Sequence, residues 1–126
     1  MKKLSILLLS VLLISLLAFN TGCKKAIDVT GTWTMVLNYV NSGSTFTITA
    51  TFSGTKTSGT YTDNWSSYGV SGGSGTYTVA DKNITFNVNW QNGNSGNYSG
   101  TLIDKNNMTG NFTESSGSSG TFTGTK

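Results

Sequence analysis

Aromatic rings on threonine-rich segments are the side chains of this chain best able to bind a small molecule. Rings offer a large apolar surface, and tyrosine and tryptophan add a polar group that can orient a ligand. If the chain encloses a cavity, we expect its walls to be Trp33, Tyr61, Trp90, Tyr98 and Phe112. Asp63 lies two residues after Tyr61 and therefore shares its strand face. It could orient a polar ligand at the cavity mouth, or it could simply end a strand in solvent.

A second candidate for ligand contact is the segment 64–73, which is rich in serine and glycine and carries two rings, Trp65 and Tyr68. Its length and composition are typical of a flexible connection between strands. In a functional interpretation the two rings form a lid or a platform on which a sugar could stack. In the structural alternative they fold onto the rim of the domain as a plug. The sequence leaves both open.

The residues usually needed for catalysis are missing. The chain has no histidine, the commonest general base and metal ligand, and no arginine, the usual bidentate partner of phosphate. Asp104 and Glu114 are expected at strand ends, where nothing pairs them as acid and base. No phosphate loop, zinc-ligand spacing or nucleophile–base motif is present. We therefore expect no enzyme activity, no metal and no cofactor.

A five-residue pattern recurs six times: a small hydroxyl residue, glycine, threonine or asparagine, an aromatic residue, and a second small hydroxyl residue. The copies begin at residues 30, 58, 74, 95, 109 and 119. This unequal spacing argues against a solenoid, which needs a fixed period. Glycine and ring lie two residues apart, so they share one strand face. A bare glycine beside a large ring suits the interior of a small closed sheet.

The same alternation predicts eight strands, at about 32–40, 44–53, 57–64, 75–80, 83–91, 95–104, 107–114 and 119–125. Nothing after the first 22 residues is typical of a helix. Short turns between consecutive strands favour antiparallel order, and closure would remove the exposed sheet edges. We therefore predict an all-β fold, an eight-stranded antiparallel up-and-down barrel with its rings inside.

Two features of such a barrel stay open at this stage. About ten inward rings could fill the interior completely, or they could line a ligand cavity. The alternation would also fit a transmembrane barrel with its rings facing lipid. Glycines on the ring face would leave a poor apolar band for lipid contact, so we favour rings that face inward.

The first residues have the composition of a secretory signal. Lys2 and Lys3 precede an apolar run from Leu4 to Phe19, which is too short for a comfortable membrane span. The residues before Cys23 resemble the lipobox of bacterial lipoproteins, although Asn20 stands where leucine is usual. This resemblance implies a signal peptide at 1–22, lipidation of Cys23 and a tether at 23–29. The alternative is ordinary cleavage that leaves Cys23 as a free thiol.

The lipoprotein resemblance also implies an address and a partner. Lysines, Lys24 and Lys25, follow the cysteine directly, and no aspartate stands there. In the lipoproteins that the chain resembles, this implies the outer membrane of a Gram-negative cell. Without the lysines of the signal, six lysines face five acids, a balance of +1. So small a charge does not indicate a nucleic-acid partner. The expected partner is the membrane, through Cys23.

The domain at 30–126 resembles lipocalins and related calycin barrels. Gly31, Thr32 and Trp33 match the Gly-x-Trp signature at the start of their first strand. The stretches 44–48 and 86–90, with the tyrosine-containing segments that follow them, are similar to avidin-type barrels. The resemblance implies a ligand-binding barrel, and Tyr61 and Trp90 match two biotin-contacting positions. Met35 and Phe112 replace two others, so biotin is not expected.

These observations predict a lipid-anchored, lipocalin-like barrel that binds a small apolar or amphipathic molecule. The alternative is a surface lipoprotein with a packed barrel, whose threonine- and asparagine-rich exterior contacts a glycan or another protein.

Overall fold

A computed structural model describes residues 25–126, and the predicted signal peptide and Cys23 lie outside this range. The described part contains eight strands and one short 3-10 helix, Ser66–Tyr68. The strands are β1 Gly31–Tyr39, β2 Thr45–Gly54, β3 Ser58–Asn64, β4 Ser74–Ala80, β5 Asn83–Asn89, β6 Ser95–Asp104, β7 Asn107–Glu114 and β8 Ser119–Thr125. Within these residues, no helix is long and apolar enough to cross a membrane.

The strands form a closed barrel in sequence order. Each strand pairs antiparallel with the next, and β8 pairs antiparallel with β1. The predicted all-β up-and-down barrel is therefore confirmed, with strand ends that differ from the expected ones by at most two residues. The largest difference is at β5, which ends at Asn89 and leaves Trp90 in the following turn. Closure satisfies the backbone groups that an open sheet would expose at its edges.

Side chains alternate strictly between the two faces of the barrel wall. Along β5, for example, Ile84, Phe86 and Val88 are buried, whereas Thr85 and Asn87 are exposed. The rings therefore face inward, and threonine, serine and asparagine cover the outside. This is the reverse of the arrangement in a transmembrane barrel, whose apolar side chains face lipid.

Five of the six glycines in the repeat lie opposite a ring of a neighbouring strand, and the sixth, Gly96, pairs with Val88 and Glu114. Gly110 pairs with Phe122 across β7 and β8. A Cβ atom at Gly110 would lie 2.2 Å from the carbonyl oxygen of Ser99 and 2.7 Å from the Phe122 ring. The ring therefore occupies the space that any side chain at Gly110 would need, which explains why this strand position carries glycine.

We expect Gly110→Ala to lower the free energy of unfolding by about 3 kcal/mol, because neither the backbone nor the packed ring can move away cheaply. Urea denaturation measures this loss. Asn111→Ala is the matched control, since Asn111 is the exposed neighbour on the same strand. It should change stability by less than about 0.5 kcal/mol. Equal stabilities for the two variants would mean that the ring does not hold this position tightly.

The interior of the barrel is occupied by the chain's own rings. Phe86 on β5 meets Phe52 on β2 at a centroid distance of 5.3 Å and Phe122 on β8 at 5.5 Å. These partners stand on the far wall, so the contacts cross the barrel axis. Phe86 also stacks on Tyr98 at 4.6 Å and lies 4.8 Å from Tyr61. Such spacings are those of packed aromatic pairs. Of the two alternatives left open by the sequence, the packed interior is the one observed.

The two ends of the barrel differ. One, here called the closed end, carries the turns at 55–57, 81–82 and 105–106 and the segment that precedes β1. There Val29 is fully buried, and the Trp33 indole nitrogen donates a hydrogen bond to its carbonyl oxygen at 2.8 Å. Ile27 packs against the core beside it. The predicted tether therefore continues into the barrel base. The other, open end carries the connections 40–44, 65–73, 90–94 and 115–118.

Candidate ligand cleft at the open end

The open end of the barrel holds a cleft of about 290 Å³. Its walls come from the ends of β1, β2 and β7 and from two connections that follow β3 and β5. Five aromatic rings, one valine and three polar side chains line it: Tyr39, Phe46, Trp65, Tyr68, Val70, Trp90, Asn92, Asn94 and Glu114. We call this site the aromatic cleft. Rings with a few polar groups at the rim are the usual composition of a small-molecule site.

Phe46 organises the rings of the cleft. It lies 5.5 Å from Tyr39 and 5.1 Å from Tyr68, with interplanar angles of 88° and 86°. Trp65 contacts it at 5.7 Å with a tilt of 55°. Edge-to-face pairs of this kind are favourable because the positive edge of one ring meets the negative face of another. These contacts hold the rings that line the cleft against one another.

Tyr68 fastens the connection 65–73 to the barrel wall. Its hydroxyl accepts a hydrogen bond from the Thr47 amide at 2.9 Å and lies 3.2 Å from the Thr47 carbonyl oxygen, to which it donates. The 3-10 helix ends at Tyr68 and is capped by Gly69, whose φ of 69° is a left-handed conformation that favours glycine. The connection is thus held on the rim while Tyr68 itself stays 42% exposed.

We expect Tyr68→Phe to loosen this connection without unfolding the barrel. Loss of two hydrogen bonds to the Thr47 backbone should lower stability by about 1 kcal/mol. Hydrogen exchange at the amides of 65–73 should become faster, since local opening needs less free energy. Exchange in β6, far from the contact, serves as the internal control. Unchanged exchange in 65–73 would show that ring packing alone holds the connection.

Asp63 lies beneath the cleft and is only 7% exposed. The Gly73 amide donates to its Oδ1 at 2.7 Å, and the Trp90 indole nitrogen donates to its Oδ2 at 3.3 Å. Burial raises the pKa of Asp63 above the ordinary 3.8, while the Gly73 amide and the neighbouring polar groups of Trp65, Trp90 and Tyr61 act in the opposite direction. Both oxygens accept from N–H groups, as expected of a carboxylate that is ionised.

Three buried polar atoms near this carboxylate have no hydrogen-bond partner within standard geometry: the hydroxyls of Tyr61 and Tyr98 and the indole nitrogen of Trp65. Burial, with the nearby Asp63 charge, raises the pKa of Tyr61 well above its ordinary value. Burial likewise raises the pKa of Tyr98. Both phenols therefore stay protonated and can donate. An unpaired buried donor costs about 1–3 kcal/mol, so such groups need an explanation.

Glu114, at the end of β7, forms part of the cleft wall. The Tyr39 hydroxyl donates to its Oε1 at 2.5 Å, and the Ser116 hydroxyl donates to its Oε2 at 3.2 Å. Burial, followed by the hydrogen bond to Glu114, raises the pKa of Tyr39. This pair fixes the Tyr39 ring, which in turn packs edge-on against Phe112 at 4.8 Å.

The structure brings together seven of the eight residues predicted to contact a ligand. Trp65, Tyr68 and Trp90 line the cleft itself. Contacts from the cleft residues lead inward to the others: Trp90 donates to Asp63, Tyr39 packs on Phe112, Phe112 stacks on Tyr98, and Tyr98 lies 6.5 Å from Tyr61. Trp33 is elsewhere: it is fully buried at the closed end, where the Lys126 ammonium lies 5.8 Å from its ring.

Tyr39, Phe46 and Glu114 also line the cleft, although the sequence did not indicate them as ligand contacts. Their positions could have indicated them, because each lies within two residues of a strand end and these strand ends meet at the open end of the barrel. Which end is open depends on the plug formed by Val29, and the alternation pattern carries no information about that. Within residues 25–126, no three aspartate, glutamate, cysteine or histidine side chains gather so that they could hold a metal ion.

Comparisons with known proteins identify the architecture. No family model and no curated protein matches the chain. A redesigned beta barrel is 17% identical with a TM-score of 0.66, covering 82% of this chain and 96% of that one. The redesigned barrel mFAP1, bound to DFHBI, is 18% identical with a TM-score of 0.64, covering 78% and 94%. A de novo designed fluorescence-activating barrel is 14% identical with a TM-score of 0.64, covering 83% and 99%. These likenesses show the fold alone.

Proposed function

We propose that this chain is a non-enzymatic, membrane-anchored barrel protein that binds a small apolar or amphipathic molecule in the aromatic cleft. One observation carries the proposal: about 290 Å³ of space bounded by five rings, with buried donors and a buried carboxylate beneath them. Pockets for small ligands usually measure about 300–1,000 Å³. The cleft therefore suits a small ligand, or one end of a larger one.

The proposal places the ligand at the mouth of the barrel. Side chains fill the centre, where Phe86, Tyr98 and Phe122 are in ring contact. At the mouth, connections of unequal length leave the aromatic cleft between them. The similar barrel mFAP1 is bound to DFHBI, which supports the idea that a barrel of this topology has room for a ligand.

Tryptophan fluorescence tests this proposal directly. Trp65 and Trp90 line the cleft, whereas Trp33 is at the closed end. We expect at least one of a panel of fatty acids, haem, biotin, glycans and DFHBI to shift the emission. In the double variant Trp65→Phe, Trp90→Phe, only Trp33 reports, and the shift should disappear while circular dichroism confirms the fold. Flat titrations of the unmodified protein across the whole panel would overturn the proposal.

Anchoring belongs to the same proposal and rests on the sequence before residue 25. A lipid on Cys23 would hold the barrel by its closed end, because residues 25–30 lead directly into β1 there. The cleft would then point away from the membrane. Two or more acyl chains make such anchoring stable, at about 0.8 kcal/mol for each buried methylene group. A Gram-negative outer membrane is the proposed location.

We expect Cys23→Ser to release the processed protein from the membrane fraction, because serine cannot carry the thioether-linked lipid. Cell fractionation with an immunoblot measures this. Ser42→Ala, in an exposed turn at the open end, is a control that should stay with the membrane. Continued membrane association of processed Cys23→Ser protein would show that another feature anchors it.

A second candidate function is contact with a glycan through the outer wall. A shallow depression of about 480 Å³ crosses β4 to β7. Hydroxyl and amide side chains of these strands line it: Thr76, Thr78, Thr85, Asn87, Asn97, Ser99, Asn111 and Thr113. The packed interior favours this alternative, since a solid barrel offers its surface. Retention on polysaccharide that is lost in Asn97→Ala, but kept in the double tryptophan variant, would support it over the cleft.

A further inference from the structure

Charged side chains are divided unequally between the two ends of the barrel. Three lysines occupy the closed-end turns, and two flank the strands at the same end. These exposed residues are Lys25, Lys56, Lys82, Lys105 and Lys126. Three acids share that end: Asp28, Asp81 and Asp104. Every lysine in the described range therefore lies at the closed end.

In the described residues, both charged side chains at the open end are negative. Within residues 25–126 its charged groups are Asp63 and Glu114, with no lysine among them. Strands of seven to ten residues separate the ends. At about 3.3 Å per residue, this is roughly 20–30 Å along a strand. The screening length at physiological ionic strength is about 8 Å. The lysines of the closed end therefore do not neutralise the two carboxylates.

Asp63 is the more unusual of the two. Buried carboxylates are normally paired with a cation or bound to a metal, because desolvation of an isolated charge is costly. The groups that donate to Asp63, the Gly73 amide and the Trp90 indole, are both uncharged. Its counter-charge is thus not supplied by any lysine in the described part of the chain.

Five aromatic rings line the cleft beside Glu114, and aromatic rings attract cations. Tyr39 and Tyr68 are nearly perpendicular to Phe46, and Trp65 is tilted against it. A cation within about 6 Å of such ring faces is attracted by their negative quadrupole, and tryptophan is the strongest partner. Several rings around one small space, as in the aromatic cleft, are typical of sites that bind a quaternary ammonium group.

We propose that the aromatic cleft binds a small organic cation, with a quaternary or tertiary ammonium group held between the ring faces above Asp63 and beside Glu114. This inference rests on the proposed function and narrows it, since fatty acids and other anionic amphiphiles would be repelled by both carboxylates. The bound cation supplies the positive counter-charge for the Asp63 carboxylate.

Choline and 3,3-dimethyl-1-butanol, here called dimethylbutanol, provide the test. The second compound has carbon in place of the choline nitrogen, so the two have the same shape and differ only in charge. We expect choline chloride to change the fluorescence of the cleft tryptophans and dimethylbutanol to bind at least about tenfold more weakly. Potassium chloride at equal concentration controls for ionic strength. Glu114→Gln should weaken choline binding about threefold or more. Asp81→Asn removes the same charge at the closed end and should leave choline binding unchanged.

The outcomes separate this inference from the proposed function. Equal binding of choline and dimethylbutanol, or binding of a panel ligand without any binding of choline, overturns cation selectivity and leaves a ligand-binding cleft. No response to choline, dimethylbutanol or any panel ligand overturns both. Choline binding that Glu114→Gln and Asp81→Asn weaken equally would also overturn it, since the effect would then reflect net charge alone.

Discussion

Phe86→Ala should lower the free energy of unfolding by about 4 kcal/mol, the largest loss expected from any single ring in the barrel. Phe86 is 3% exposed and is in ring contact with four partners on different strands: Phe52, Tyr61, Tyr98 and Phe122. Its removal leaves a cavity between walls that hydrogen bonding holds closed all round. A closed barrel cannot collapse easily to fill such a space, so the cost stays near the upper range.

Urea denaturation measures this effect, with Phe86→Leu as the control that keeps most of the volume. Total stability of a domain this size is about 5–15 kcal/mol, so the alanine variant should remain folded but be much less stable. If it is folded, its interior should take up a small apolar probe such as benzene, as dry engineered cavities do. A loss below about 1 kcal/mol would contradict the packed interior.

Local alternation explains why the fold was predictable. The two-residue period of β5, with Phe86 and Val88 buried and Asn87 exposed, is visible in the sequence and is preserved in the barrel. The glycine–ring spacing carried further information, because Gly110 does lie against Phe122 of the next strand. Turn residues between consecutive strands were enough to set their order.

The position of the cleft was only partly predictable. The connection that carries Trp65 and Tyr68 stood out through its length and its rings. Trp33, in contrast, has the same strand parity as Tyr39, yet the two lie at opposite ends of β1. Parity specifies a face of the sheet and not a height along the barrel. Which end of the barrel is plugged depends on how Val29, in the segment before β1, packs beneath Trp33, and the alternation within the strands does not encode that.

Asp63→Asn should remove cation binding and yet make the protein more stable at neutral pH. Burial raises the pKa of Asp63 in the folded state above 3.8, so the folded chain disfavours the charged form relative to the unfolded chain. The cost of the charge is complete above the folded-state pKa and vanishes as the pH falls below 3.8. Asparagine carries no such cost at any pH.

The expected rise in Tm at neutral pH is roughly 5 °C, which corresponds to about 1 kcal/mol for a domain of this size. Asparagine keeps one acceptor, which can serve the shorter hydrogen bond from the Gly73 amide. The contact it gives up, from the Trp90 indole, is the longer one at 3.3 Å. Thermal melts at several pH values test this, and the difference between variant and unmodified protein should narrow in acid.

Asp104→Asn makes the same chemical change, but we expect it to lower Tm where Asp63→Asn raises it. The Asn106 amide and the Asn107 side chain donate to Asp104, which is exposed, and they lower its pKa. Its carboxylate therefore favours folding at neutral pH, and asparagine should lower Tm slightly while choline binding is unchanged. If the Asp63 carboxylate lowers the stability of the fold and choline binding nevertheless requires it, its role is to bind the ligand. If Asp63→Asn instead lowers Tm and leaves choline binding intact, the carboxylate serves only to hold Gly73 and Trp90 in place.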